Sequence, residues 1–184
     1  MLISEAQSEI RRAYLGGSVG QAVSALLWLA SAALASWAGP ASAIATLVVG
    51  GVAIFPLTRL GLLLVGAPRV VTAGNPLNGL AMQVAFVLPL SLPLVGAATL
   101  YRADWFYPAF MVALGAHYLP FVFLYGMRAF AVLTAALVLG GLALGLYLPL
   151  GFAAGGWVTA ALLGAFAVVS WATTRGERAS TVSV

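Results

Sequence analysis

The chain consists mainly of long apolar runs separated by short polar joints. A helix that crosses a membrane needs about 20 consecutive, mostly apolar residues. Six runs reach that length, so the pattern predicts six transmembrane helices. The runs cover, approximately, residues 17–38, 41–66, 78–101, 105–126, 128–148 and 152–173.

Residues 1–14 follow a different pattern, in which apolar and polar positions alternate at helical spacing. This spacing predicts an amphipathic helix that lies in the membrane interface. The joints at Gly39-Pro40 and at residues 148–151 are short and connect antiparallel neighbours. We therefore expect an all-α fold of three antiparallel helical hairpins. It divides into an interfacial amphipathic helix (1–16), a six-helix transmembrane bundle (17–174) and a flexible cytoplasmic tail (175–184).

The composition is that of a membrane protein rather than a soluble one. Hydrophobic residues make up 63% of the chain, against eight basic and four acidic residues, whereas a soluble domain carries roughly a quarter charged residues. The chain has no cysteine, which excludes disulfides and thiol chemistry. Because all its basic residues are arginines, Schiff-base chemistry on lysine is excluded as well. We expect no cofactor.

Arginines at the ends of the runs predict the orientation of the protein. With the N-terminus in the cytoplasm, only Arg102 falls on the outer side, two residues from Asp104. The inner side then holds Arg11, Arg12, Arg59, Arg69, Arg128, Arg175 and Arg178. This bias predicts a multi-pass protein of a bacterial inner membrane with both termini in the cytoplasm. It accounts for the basic net charge without a nucleic-acid partner.

Small residues recur at four-residue spacing, as at Gly141 and Gly145 in the fifth run and at Gly156, Ala160 and Gly164 in the sixth. Such stripes let helix backbones approach closely in lipid. We interpret them as packing surfaces within one bundle, because several runs carry them. The sequence is also compatible with a homo-oligomer.

Polar side chains within the apolar runs are the candidates for a functional site, because burying them in lipid is costly. Pro89 and Pro93 are expected to break the third run in mid-membrane, and Pro120 to kink the fourth. Irregular backbone at that depth is tolerated when it is buried in protein or lines a wet cavity. We therefore expect a ligand-binding cavity that opens to the cytoplasm. Its predicted lining is Gln21, Arg59, Gln83, His117, Tyr118 and Tyr125.

For two of these residues the sequence leaves two interpretations open. Arg59 either contacts an anion in the cavity or extends its guanidinium to the inner headgroups, and its helix either crosses as one long rod or breaks at Pro56. His117 either contacts a ligand beside the carbonyl that Pro120 frees at Ala116, or is satisfied by a neighbouring helix. Since the chain has one histidine and no cysteine, no metal site is expected.

Three functions remain compatible with this pattern. We favour a small carrier, channel or binder of a small neutral or anionic solute or of a lipid, since the apolar runs contain no carboxylate for proton or sodium coupling. The alternative is a structural or accessory membrane protein without chemistry. An intramembrane enzyme that uses His117 as acid or base is less favoured, because no partner residues are evident. We assign no catalytic residue.

Several segments resemble a bacterial integral membrane family known only as a domain of unknown function. They are Asn75-Pro76-Leu77, residues 83–86, residues 106–127 with the stretch Gly115-Ala116-His117-Tyr118-Leu119-Pro120-Phe121, Glu9-Ile10-Arg11, Gly20-Gln21 and Ile54-Phe55-Pro56-Leu57. The resemblance implies a small six-helix bacterial membrane protein and supplies no activity, so no functional residue is carried over. The hairpin pattern alone is similar to HdeD-type acid-resistance membrane proteins.

Overall fold

The computed structural model describes residues 1–67, 71–148 and 150–182, with residues 177–182 described by backbone only. The predicted inner-side Arg69 therefore lies outside the described residues. Within them every regular element is helical. The α-helices are α1 Ile3–Ala13, α2 Ser18–Trp37, α3 Pro40–Gly51, α4 Ile54–Leu64, α5 Asn78–Tyr101, α6 Phe106–Tyr118, α7 Phe121–Tyr125, α8 Ala129–Leu146 and α9 Ala154–Val182. Short 3₁₀ turns at Leu15–Gly17 and Ala103–Trp105 precede α2 and α6.

Several of these helices are long and apolar enough to cross a membrane, which indicates a multi-pass membrane protein. Within the described residues five stretches qualify, and the bent pair α3 and α4 adds a sixth if it is counted as one span. The third predicted run coincides with α5 at both of its ends. The predicted all-α fold is confirmed, and the exact number of crossings stays a prediction.

Proline explains the break in the second run. Helices α3 and α4 meet at an angle of 60°, at Val52 and Ala53. Val52 lies four residues before Pro56, so its carbonyl would have accepted the hydrogen bond that the proline nitrogen cannot donate. Pro56 itself lies in the first turn of α4, where a missing N–H costs little. Pro120 acts in the same way between α6 and α7.

The expectation that Pro89 and Pro93 break the third run is wrong. Helix α5 continues through both prolines without interruption. Both residues are exposed, so no tightly packed neighbour opposes the slight bending that a proline ring requires. The irregularity predicted for this hairpin is therefore confined to α6 and α7.

Helices α3 and α4 both follow α2 in the opposite direction. Near the start of α3, the Ser31 hydroxyl on α2 donates to the carbonyl of Ala43 at 2.8 Å. On α4, a methyl group added at Gly20 of α2 would lie 3.6 Å from the Thr58 methyl carbon. The second run is thus a broken helix that stays beside α2.

Close glycine contacts fix the packing of the other helices. A methyl group at Gly16 would lie 2.9 Å from the Thr174 methyl carbon, and one at Gly156 would lie 2.9 Å from the Cβ of Ala32. These contacts align α9 antiparallel to α2. On α8, a methyl group at Gly141 would lie 2.7 Å from the carbonyl oxygen of Pro108. Gly141 and Gly156 of the small-residue stripes are therefore used for packing within the chain, whereas a methyl group at Gly164 would meet nothing within 4 Å.

The bundle has two ends with different contents. We call the end that carries α1 and the first turn of α2 the α1 end. The opposite end, which carries the α5–α6 turn at residues 102–105 and the start of α9, is called the far end. Between them lies an apolar layer in which Trp28, Tyr107, Phe110 and Met111 are almost fully buried. Trp28 packs there against the rings of Tyr107 and Phe110.

Helix α1 packs against the bundle through one face. Ala6, Ile10 and Ala13 are buried there, while Met1 and Leu2 are exposed. The amphipathic pattern of residues 1–14 therefore serves a contact with protein as well as an exposed surface. At the other terminus, α9 continues as a helix to Val182, through residues that the sequence assigned to a flexible tail.

Candidate functional site

The structure places three of the six predicted site residues inside the bundle at the α1 end. Gln21 is 2% exposed, Tyr125 5% and Tyr118 6%. A methyl group added at Gly17 would lie 3.6 Å from the Tyr125 hydroxyl, and the Tyr118 phenol lies beside Ser24.

Gln21 lies between those two contacts on the same face of α2. It comes one helical turn after Gly17 and three residues before Ser24, and residues three or four apart share a helix face. The buried polar group of α2 is therefore directed toward the side of the bundle that holds the two tyrosines. This places Gln21, Tyr118 and Tyr125 in one region.

Two sides of this region are aromatic. The ring of Phe130 on α8 stacks on Tyr125 at a centroid distance of 5.5 Å and on Tyr118 at 6.0 Å. Phe121 on α7 lies 5.5 Å from Phe130 and 5.4 Å from Tyr125. These rings exclude water from the polar atoms behind them, which raises the free-energy cost of any polar atom left without a partner.

The Gln21 side chain is such a case. Neither its Nε2 nor its Oε1 has a hydrogen-bond partner among the described residues, and the Oγ of Ser18, one turn away, has none either. Both residues are almost fully buried. Buried polar groups in proteins are nearly always hydrogen-bonded, so these three atoms mark the most unusual polar region in the described part of the bundle.

Arg59 and Gln83 do not join this region. Both side chains are exposed, on α4 and α5 respectively. Arg59 follows Thr58, which packs against Gly20, and it therefore lies at the level of the α1 end. This position suits a guanidinium that reaches the headgroups, the second of the two interpretations of Arg59.

His117 connects two helices. Its Nδ1 lies 3.0 Å from the carbonyl oxygen of Val84 on α5, so the neutral tautomer with a proton on Nδ1 donates to that carbonyl. Its ring contacts Tyr118 at 5.5 Å and Phe121 at 5.2 Å. The histidine thus has a neighbouring-helix partner and borders the aromatic wall of the region around Gln21.

Helix α1 closes the region from outside through hydrogen bonds to backbone carbonyls. Arg11 donates from a guanidinium nitrogen to the carbonyl of Tyr125 at 2.6 Å. Gln7 donates from Nε2 to the carbonyl of Phe123, also at 2.6 Å. Both acceptors lie in α7, and the Phe123 carbonyl also accepts from the backbone N–H of Gly126.

Glu9 fastens the same helix to the segment before α5. Its carboxylate accepts hydrogen bonds from the backbone and hydroxyl of Thr72 and from the Asn75 amide. These donors, the Thr72 hydroxyl first, hold the pKa of Glu9 below its usual range. The Asn75 amide also donates to the carbonyl of Ala6 at 3.2 Å. Helix α1 therefore acts as a hydrogen-bonded cap on the α1 end.

A different site lies at the far end, where a cavity of about 450 Å³ opens between the α5–α6 turn and the α8–α9 joint. Arg102, Asp104 and Trp105 line one side of it, and Tyr147 and Phe152 line the other. The Arg102 guanidinium lies 5.7 Å above the Trp105 ring. We call this cavity the far-end pocket.

One residue that lines the far-end pocket carries an unpartnered donor. The indole Nε1 of Trp105 is buried and has no hydrogen-bond partner among the described residues. The pocket thus combines a cation, an anion and a neutral N–H donor against aromatic walls. Nowhere in the described residues do three or more His, Cys, Asp or Glu side chains come together in a way that could hold a metal ion.

The family of the chain follows from its sequence over nearly its whole length. Residues 3–173 match the family of unknown function DUF7010. The chain belongs to the DUF7010 family. The resemblance to an uncharacterised family is thereby confirmed, while the similarity to HdeD-type proteins stays a prediction. No curated protein and no solved structure matches the chain.

Sequence reasoning missed two features of this DUF7010 protein. Tyr107 has the pattern of an interface aromatic, but it is fully buried and its hydroxyl lies 2.6 Å from the Ser31 hydroxyl. The far-end pocket was missed because Arg102 and Asp104 were read only as markers of orientation. A signal existed, since Trp105 directly follows an opposite-charge pair at the end of an apolar run.

Proposed function

We propose that this protein is a small carrier or binder of an anionic or zwitterionic solute, or of a lipid with such a headgroup, and that the ligand binds in the far-end pocket. The single observation that carries the proposal is that Arg102, Asp104 and Trp105 line one cavity, where the buried Nε1 of Trp105 has no partner among the described residues.

The chemistry of the pocket selects the ligand class. A phosphate or carboxylate can accept hydrogen bonds from the Arg102 guanidinium and from the Trp105 indole N–H. The Asp104 carboxylate can pair with an ammonium group on the same ligand. Phosphoethanolamine, which carries one phosphate and one ammonium, has both groups and is small enough for a cavity of about 450 Å³.

The position of the pocket favours the same ligand class. In the orientation that the arginines predict, the α1 end faces the cytoplasm of a bacterial inner membrane and the far end faces outward. Arginine and tryptophan at the end of a span lie at the level of the lipid headgroups. The pocket is then accessible both to a headgroup from the bilayer and to a solute from the water.

Binding to single-residue variants tests this proposal. Purified, delipidated protein is titrated with phosphatidylethanolamine and separately with soluble phosphoethanolamine, and bound ligand is counted by native mass spectrometry. We expect Arg102→Ala to weaken binding about tenfold or more, because hydrogen bonds to charged groups contribute about 1.5–3 kcal/mol. Trp105→Phe keeps an aromatic ring at this position and removes the indole N–H donor, so a smaller loss of binding, about fivefold, is expected.

Arg59→Ala is the matched control, because it removes the same charge from an exposed site at the α1 end. Binding of the lipid but not of the soluble headgroup identifies a lipid site, and the reverse identifies a solute site. If neither ligand binds, or if Arg59→Ala weakens binding as much as Arg102→Ala, the far-end pocket is not the site.

A second candidate function has its own support. Gly141 on α8 and Gly156 on α9 are occupied by contacts within the chain, and Trp28 and Tyr107 are almost fully buried. A closed interior of this kind suits a structural or accessory membrane protein. It predicts that loss of Arg102 and Asp104 together leaves every ligand-dependent property unchanged.

A further inference from the structure

The α1 end holds a second polar region that the proposed function does not use. Its three unpartnered atoms, Gln21 Nε2, Gln21 Oε1 and Ser18 Oγ, belong to the first turn of α2. Helix α2 begins there without a side-chain cap. A helix start leaves backbone N–H groups without helical partners, so this turn is rich in hydrogen-bonding capacity inside a buried environment.

The neighbouring polar side chains do not satisfy Gln21. The Tyr118 phenol lies beside Ser24, and Arg11 donates to the carbonyl of Tyr125. A buried amide without hydrogen bonds costs several kcal/mol in apolar surroundings. An exposure of only 2% for Gln21 therefore requires a further group that accepts from Nε2 and donates to Oε1.

We propose that Gln21 and Ser18 bind one neutral hydroxyl-bearing guest, either an internal water molecule or the hydroxyl of a small polyol or lipid headgroup. A hydroxyl both donates and accepts, so it can serve Oε1 and Nε2 of the same amide and leave a lone pair for the Ser18 hydroxyl. The site itself presents only neutral groups, and an ion buried without a counter-charge would be strongly disfavoured.

Gly17, one helical turn before Gln21, keeps the backbone of this turn close to Tyr125. Gly17 has a φ of 80°, which glycine adopts without strain. Gly17 has no side chain. A Cβ added there would lie 3.4 Å from the nearest atom of the Tyr125 ring. A water molecule needs little more than its own volume and two to four polar partners.

The contacts of α1 decide which guest can enter. Its hydrogen bonds from Gln7 and Arg11 to α7 close the α1 end, so a polyol or headgroup enters only when α1 lifts. Water, which is smaller, exchanges without that movement. The two sources of the hydroxyl are therefore distinguishable by experiment.

Nuclear magnetic resonance of the glutamine side chains tests the proposal. The chain has only Gln7, Gln21 and Gln83, so protein labelled with ¹⁵N at glutamine gives three pairs of amide signals. Gln21→Leu assigns the buried pair by its loss. In phosphatidylcholine nanodiscs without polyols, water is the only hydroxyl source, and we expect a cross-peak between the Gln21 amide and water.

A soluble paramagnetic gadolinium chelate provides the control. It broadens cross-peaks to bulk water, so those of the exposed Gln83 disappear while that of Gln21 persists, and Ser18→Ala weakens the Gln21 cross-peak. In phosphatidylglycerol nanodiscs, replacement of the water cross-peak by one to glycerol protons identifies a headgroup hydroxyl instead. If the Gln21 amide shows no cross-peak to any hydroxyl in either membrane, or only one that the chelate removes, the site is empty and the inference is wrong.

Discussion

The two ends of the bundle place their polar side chains in opposite environments. At the far end, polar groups are charged, partly exposed and arranged around an open cavity. At the α1 end, the polar groups inside the bundle, Gln21 and Ser18, are neutral and buried, and they are closed off by a helix that hydrogen-bonds to α7. The difference shows that charges are kept where water and headgroups can reach them, while amides and hydroxyls are the polar groups admitted to the interior.

The largest expected effect comes from separating α6 from α8, because α6 carries Pro108 beside the far-end pocket and Tyr118 near Gln21. Gly141→Ala places a methyl group 2.7 Å from the Pro108 carbonyl. Relieving such a clash costs about 1–3 kcal/mol. We expect the melting temperature in detergent to fall by several degrees.

Gly164→Ala is the matched control, since nothing lies within 4 Å of the added methyl group. It should leave the melting temperature unchanged or raise it slightly, because alanine favours helix more than glycine does. If Gly141→Ala disturbs ligand binding at the far end but leaves the α1 end intact, the two ends do not share one rigid helix pair.

A smaller effect is expected from Tyr107→Phe, which removes the one fully buried phenol near the far end. Its hydroxyl lies 2.6 Å from the Ser31 hydroxyl, which itself donates to Ala43. Ser31 keeps that acceptor in the variant, so the loss of stability should be about 1 kcal/mol. Thermal unfolding measures it, and Tyr101→Phe, at an exposed far-end tyrosine, should show no change.

Arg11→Ala should loosen the α1 end alone. It removes the hydrogen bond to the Tyr125 carbonyl, and with it one of the contacts that closes the region around Gln21. We expect faster hydrogen exchange for the first turn of α2, measured by mass spectrometry, with no change at residues 102–105. Equal acceleration at both ends would contradict the idea that α1 acts as a local cap.

The smallest effect should come from pH, through Glu9. Its pKa is lowered in the folded protein by the Thr72 hydroxyl and the Asn75 amide. The stabilising contribution is therefore present above the unfolded pKa of about 4.3 and is lost as pH falls through the folded value. Acidification should speed hydrogen exchange around Thr72 in the wild type, whereas Glu9→Gln should show that faster exchange already at neutral pH.

The sequence was informative wherever a local rule was sufficient. Helix α5 ends where the apolar run ends, and the breaks near Pro56 and Pro120 follow from missing backbone donors. The same rule failed at Pro89 and Pro93 because its outcome depends on the surroundings. Both residues are exposed and α5 can bend without a clash.

Two glutamines show most clearly where prediction from the sequence fails. Gln21 and Gln83 lie at comparable distances from the starts of α2 and α5, yet one is 2% exposed and the other faces outward. Hydropathy gives the depth of a residue in a span. On α2 the polar residues Ser18, Gln21 and Ser24 share one face, and that face is buried. Helix α5 has no such stripe near Gln83, so the sequence carries little information about how it is rotated about its axis.

By itself, the sequence determined that this chain forms apolar helices of membrane length, because so few charges and so many apolar residues allow no other way to satisfy the backbone in lipid. Only the tertiary structure decided which polar side chains turn inward, that α1 closes one end, and that Arg102, Asp104 and Trp105 surround a cavity at the other. Those outcomes depend on contacts between residues far apart in the chain, which no local pattern specifies.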